Sequence, residues 1–167
     1  MTEIRRERAA DVDAVRAVHV AAFATPAEAN LVDALRAGAA PLVSLVACAD
    51  DAIAGHIMFS PVTVGGEHPP MMGLAPVAVV PSHQRQGIGA ALVREGLAAC
   101  RRVGAAAVVV LGHAAYYPRF GFVPASRFGL GCEYDVPDDV FMALELDAGS
   151  LRGVSGTVRY HPAFANL

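Results

Sequence analysis

Apolar residues recur at helical spacing twice near the start of the chain. Val12, Val15, Val18, His19 and Ala22 form one stripe, which predicts a helix capped by Asp11 and running to Phe23. Leu31, Val32 and Leu35 form a second, predicting a helix over 26–37 that Pro26 opens and Gly38 stops. The pattern then changes to apolar runs. Residues 43–49 and 52–60 are two such runs separated by Asp50-Asp51, a hairpin signal. Residues 3–8 read as a short charged edge strand, and 65–70 hold too many glycines and prolines for regular structure. A third run, 74–80, completes an antiparallel meander. Pro76 inside it cannot donate to a ladder, so the strand is expected to be an edge, splayed or bulged there. Residues 90–103 are amphipathic. Leu92, Val93, Gly96, Leu97 and Cys100 share one arc with Gly89, and Arg94, Glu95, Arg101 and Arg102 share the other. Gly104 ends that helix, and 106–111 read as a buried strand. Residues 129–139 form a loop bearing glycines and acids, 141–146 the last strand, and 149–167 a further short strand and a tail whose Tyr160 and Phe164 are suited to pack on the core or on a second subunit.

Composition narrows the class. The 167 residues suffice for one well-buried core, and the simplest organisation is a single domain over 1–167. With 54% apolar and 17% charged residues, the chain is not of the disordered type. A net charge of −3 argues against nucleic acid as a partner, because such affinity needs a basic stripe. The apolar runs fall short of a membrane span, and the charged N-terminus lacks the apolar core of a secretory leader. Cys48, Cys100 and Cys132 have neither zinc spacing nor a disulfide framework, so no metal is expected and a cytoplasmic location is.

The chemistry-bearing stretch is Gln84-Arg85-Gln86-Gly87-Ile88-Gly89, set between the third apolar run and the long helix. A strand, a glycine-bearing turn and a helix N-terminus present unpaired backbone N–H groups and partial positive charge, an arrangement suited to phosphate. Gly87 and Gly89 let a pyrophosphate approach the main chain, and Arg85 adds a full charge. A P-loop would need Lys and then Ser or Thr after its last glycine, where this chain has Ala90-Ala91. A dinucleotide fingerprint would need a third glycine, where this chain has Leu92. The remaining pattern resembles the acetyl-CoA-binding motif of the GNAT superfamily of N-acetyltransferases. A second stretch, Tyr116-Tyr117-Pro118-Arg119-Phe120-Gly121-Phe122, resembles the aromatic element that follows the fifth strand in many GNAT enzymes. The likeness extends over nearly the whole chain and is to a bacterial subfamily of predicted N-acetyltransferases whose acceptors are largely undefined.

The resemblance implies a mixed α/β, α+β-like GNAT fold: a central, mostly antiparallel sheet with a splayed strand pair, flanked by helices. It implies acetyl-CoA as co-substrate, with pantetheine pairing along the backbone of Val77, Ala78 and Val79. The phosphates would lie on the turn formed by Gln84, Arg85, Gln86, Gly87, Ile88, Gly89 and Ala90, and Tyr116, in the position of the first aromatic of the second element, would be a further cofactor contact. Tyr117 takes the position of the tyrosine that protonates the departing thiolate, a role open to a phenol with an ordinary pKa near 10. A backbone N–H of Val77 or a neighbour would serve the oxyanion. Many GNAT enzymes carry a Glu or His that can act as general base on the strand before the turn, but residues 71–76 hold no titratable group. His113, His56, Glu28 and water are the alternatives for the base. The expected activity is direct acetyl transfer to a primary amine, of small-molecule or peptide type. A non-catalytic acyl-CoA-binding module is the alternative reading, and a homodimer is left open.

Overall fold

The computed structural model describes residues 2–167. Strand β1 (Glu3–Arg6) leads into helices α1 (Val12–Ala22) and α2 (Ala27–Gly38), followed by the hairpin β2 (Val43–Ala49) and β3 (Ala52–Val62). Strand β4 (Met71–Val79) feeds the glycine turn and helix α3 (Ile88–Arg102), then β5 (Ala107–Leu111). Short strands β6 (Val123–Pro124) and β7 (Leu130–Cys132) precede β8 (Phe141–Glu145) and β9 (Gly156–Val158). Seven strands form one sheet in the order β1-β2-β3-β4-β5-β8-β6, and β7 pairs with β9 in a small parallel sheet. Within the large sheet only β4 and β5 run parallel; the other pairs are antiparallel.

The pleat sends alternate residues of β3 to opposite layers. Ile57 and Phe59 enter the core beneath α3, where Leu92, Val93 and Leu97 meet them. Met58 enters the other core, beneath α1 and α2, with Val15, Leu31, Val32 and Leu35. Glycine allows the close approach of α3 to the sheet. A Cβ at Gly96 would lie 2.3 Å from the Phe59 ring, and one at Gly55 would lie 3.1 Å from Leu92.

Several local expectations are corrected. Asp11 does not cap α1 with its side chain. Its carboxylate turns back to accept from the Arg8 N–H at 2.7 Å and from the Arg5 guanidinium at 2.7 and 3.0 Å. The third apolar run begins at Met71, earlier than its sequence pattern suggests, because residues 71–74 are buried beside β5. The loop over 129–139 contains β7, whose partner β9 lies some 25 residues on, so local pattern could not reveal it. Tyr160 and Phe164 pack on the core beneath α2, both being buried.

Candidate active site

Strand β4 pairs with β5 only from Met71 to Leu74, opposite Ala107 to Val110. On its other side β4 pairs with β3, and Phe59 faces Leu74 while Ile57 faces Val77. One residue of β3 therefore spans Ala75 and Pro76 together, a bulge at the proline the sequence flagged. Beyond it β4 is splayed from β5. The Val80 N–H bonds the Ala54 carbonyl at 2.8 Å, so the alternation along a strand turns the backbone groups of Val77 and Val79 towards the open side. The Val79 carbonyl accepts from the Gln84 side chain at 2.9 Å. Ala78, between them, is buried and pairs with His56 of β3.

The turn after β4 is shaped by two left-handed residues, Arg85 with φ +64° and Gly87 with φ +84°. The first bond of α3 runs from the Ala91 N–H to the Gly87 carbonyl at 3.0 Å. Among the described residues, the N–H groups from Arg85 to Ala90 have no partner within the chain. Beside them lies a groove of about 450 Å³ whose wall includes Val79, Gln84, Arg85, Gly87, Gly89 and Tyr116. Ile88 and Ala90 also line it, whereas Gln86, expected at the same site, is exposed and stands outside the groove wall. A row of unpaired donors at a helix N-terminus, with a guanidinium beside it, suits a pyrophosphate.

Two lining residues, His83 and Arg119, were not singled out from sequence. His83 sits 3.2 Å from the Asp50 carboxylate. Arg119 donates to the Tyr116 carbonyl at 2.8 Å and stacks its guanidinium 4.3 Å from the Tyr116 ring centre. The spacing of Arg119 after the two tyrosines was the available signal. Its approach to the turn depends on how the short helix Tyr117–Phe120 folds back.

Tyr116 reaches across to the start of α3, where its hydroxyl would meet a Cβ on Gly89 at 3.7 Å. Tyr117 is buried, with its ring edge-on to Tyr116 and Phe122 and its backbone N–H directed to the His113 carbonyl. Burial, and then the neighbouring Tyr116, push the Tyr117 phenol up to about 12. The hydroxyl is therefore held protonated at neutral pH, the state a proton donor requires.

The three base candidates take separate places, and none lines the groove. His56 is fully buried in a polar chain. His19 Nε2 lies 2.8 Å from His56 Nδ1, His56 Nε2 lies 2.8 Å from Ser44 Oγ, and that hydroxyl donates to Glu7 at 2.8 Å. Arg36 closes the chain on Glu7 at 2.6 Å. Burial first, then the His19 and Arg36 charges, hold His56 well below its ordinary pKa. This chain ties α1 and α2 to the first three strands. His113 is exposed and uses its carbonyl to start the turn at Tyr116 and Tyr117. Glu28 is half-buried in the first turn of α2.

Burial pushes the Cys100 thiol up to about 12, and Cys132 is raised for the same reason, so neither is an activated nucleophile. Among the described residues no cluster of three His, Cys, Asp or Glu side chains is placed to hold a metal ion, and no helix is long and apolar enough to cross a membrane.

Comparison with known proteins bears on this geometry. Residues 3–125 match the model of the acetyltransferase (GNAT) domain. The chain is 39% identical over 162 residues to the N-acetyltransferase YhbS of Escherichia coli, covering 96% of this chain and 97% of that protein. The solved structure of E. coli YhbS in complex with CoA superposes with a TM-score of 0.92 at 38% identity, over 98% of this chain and 92% of the other. A GNAT family acetyltransferase from Brucella melitensis, solved in complex with acetyl-CoA, gives a TM-score of 0.79 at 40% identity, over 98% of each chain. An extensive sequence match to the domain and whole-chain likeness to these proteins agree with the splayed strands and the glycine turn: this chain is a member of the GNAT family of N-acetyltransferases.

Proposed function

We propose that the chain works as one catalytic unit that transfers the acetyl group of acetyl-CoA to a primary amine by direct attack in a ternary complex. The observation that carries this reading is the continuity of the open β4 edge with the row of unpaired N–H groups from Arg85 to Ala90. A phosphorylated, extended donor has its anionic end served by the turn and its amide-bearing arm by the backbone of Val77 and Val79. The CoA complex of YhbS and the acetyl-CoA complex of the Brucella protein support the same ligand here. Arg85 and Arg119 supply positive charge at the phosphate end, and Tyr116 closes the groove over Gly89.

The chemistry follows from what these residues offer. The neutral amine attacks the thioester carbonyl, and a β4 backbone N–H beside the bulge stabilises the oxyanion. When the C–S bond breaks, Tyr117 donates its proton to the leaving sulfur. The ammonium formed by attack loses its proton to water, and the Tyr117 phenolate is reprotonated from solvent. With His56 enclosed in its polar chain, water is the acceptor of the amine's proton.

Calorimetric titration with acetyl-CoA, followed by thiol release across a panel of amines, tests the proposal. Binding and amine-dependent release are expected. A folded protein that does not bind acetyl-CoA would overturn the assignment of the groove. Binding without release from any amine would overturn the transferase reading and leave an acyl-CoA-binding module.

A further inference from the structure

The unpaired stretch of β4 has a different cavity at each end. The groove on the glycine turn begins at Val79. At the other end, where β4 and β5 part, a cavity of about 300 Å³ opens beside Leu74, Ala75 and Leu111. Ala75 and Val79 are four residues apart, a span of about 13 Å along an extended strand. A donor anchored on the turn and laid along β4 therefore delivers its far end to the second cavity. Leu111 on the cavity wall immediately precedes Gly112, against which the Tyr117 ring is packed.

The remaining wall comes from the C-terminal segment, chiefly Tyr134, Tyr160 and Phe164. Backbone bonds between Thr63 and Arg159, at 3.0 and 2.8 Å, fix the segment after β9 that carries Tyr160 against the end of β3. The Tyr160 ring then lies on Gly73, where a Cβ would come within 2.7 Å, and 5.0 Å from the Phe164 ring. Tyr134 stands 6.4 Å from Tyr160 and is more than one-third exposed, so it forms the rim. The interior is lined mostly by carbon.

Outside that rim the surface is acidic. Glu133, Asp135 and Asp138 line a neighbouring depression that shares Tyr134 and Val136 with the cavity. Glu133 faces Arg159 at 3.8 Å, and Asp138 accepts from Ser126 at 3.1 Å.

Resting on the transferase reading above, we propose that this cavity is the acceptor site and that its substrate is a small primary amine with an apolar, aromatic or branched aliphatic body. The apolar body displaces water from the cavity between Leu111, Tyr134 and Phe164, which leaves the amino group at the fork beside Ala75. The acidic rim draws in the cationic form that predominates in water. A longer acyl chain on the donor would gain from the carbon lining but not from that rim, so the charge assigns the cavity to the amine. Its volume suits a small molecule, and a bulky polyamine or aminosugar would leave polar groups unpaired against carbon.

The experiment compares kcat/KM with acetyl-CoA for phenethylamine and isoamylamine against ethanolamine, spermidine and glucosamine. It includes a peptide with an N-terminal phenylalanine and a hexanoyl-CoA arm with ethanolamine. Burial of a phenyl or branched alkyl group predicts a preference of about 30-fold or more for the apolar amines. Leu111→Ser and Tyr134→Ala, both at partly exposed positions, should raise KM for phenethylamine at least tenfold while the acetyl-CoA Kd changes less than twofold. Preference for a polar amine, for the peptide, or for hexanoyl-CoA over acetyl-CoA would overturn the inference while leaving the transferase reading intact. Loss of acetyl-CoA binding, or no thiol release from any amine, would overturn both.

Discussion

The Tyr117 ring rests on the backbone of Gly112, where a Cβ would come within 2.4 Å of it. A residue without a side chain thus seats the proposed acid at the end of β5. Tyr117→Phe should lower kcat by about 10²–10⁴-fold, the usual worth of a positioned proton donor, with little change in acetyl-CoA affinity. Gly112→Ala forces the ring aside and should lower kcat by at least about tenfold. Because both act through one hydroxyl, the double variant should be no slower than Tyr117→Phe alone. Steady-state kinetics with calorimetry checks this. Unchanged turnover in Tyr117→Phe would remove the residue as the acid.

Gly87 holds φ +84° with open space around its Cα, so a side chain there is penalised by backbone conformation and, at the proposed phosphate site, by intrusion on the ligand. Gly87→Val should cost about 1–2 kcal/mol of stability and weaken acetyl-CoA binding at least tenfold. Gly104, with φ +89° and equally open space at the end of α3, supplies the comparison. Gly104→Val should lose similar stability but keep its affinity. Equal affinity in both variants would take the turn out of the binding site.

Burial first, then the Arg36 charge, lowers His19 from 6.5 to about 4, and His56 beside it is lowered as well. Between those pH values the unfolded chain binds a proton at His19 that the folded chain refuses. The stability from the neutral histidine is therefore full above about pH 6.5 and lost as pH falls towards 4, by about 3 kcal/mol for His19 alone. Denaturant unfolding at a series of pH values should show this slope, and His19→Gln should flatten it. A slope unaltered in that variant would place the titration elsewhere.

Gly96 faces the Phe59 ring, and a Cβ there would come within 2.3 Å of it. Gly96→Ala gains helix propensity but overpacks a fully buried site, and the packing loss should win by about 1–3 kcal/mol. Thermal unfolding measures the sign. A more stable variant would show that α3 can lift from the sheet without penalty.

Much of this was legible in the chain itself. The stripes on α1, α2 and α3 name the residues they bury, since helical periodicity is a local property with one buried face. Pro76 announced a break in the ladder because a residue without an N–H interrupts pairing wherever it sits. Gly87 and Gly89 between a strand and a helix announced a tight turn with free N–H groups, which the left-handed Gly87 and the unpaired donors from Arg85 to Ala90 match. Asp11 misled, because a carboxylate at a helix start can cap forwards or accept from behind, and Arg5 on β1 favoured the second.

Local pattern could not say where distant segments meet. The β7–β9 pair, the closure of the fork cavity by Tyr134, Tyr160 and Phe164, and the approach of Arg119 to the turn all join residues far apart in the chain. The same holds for His56. As a residue on a strand it was a candidate base, and the packing of α1 and β2 on either side enclosed it between His19 and Ser44. Periodicity, turn chemistry and the glycine motif between β4 and α3 are written in neighbouring residues and survive reading in one dimension. The fork cavity and the state of His19 and His56 depend on burial and charge summed over several elements, and those quantities exist only once the sheet has assembled.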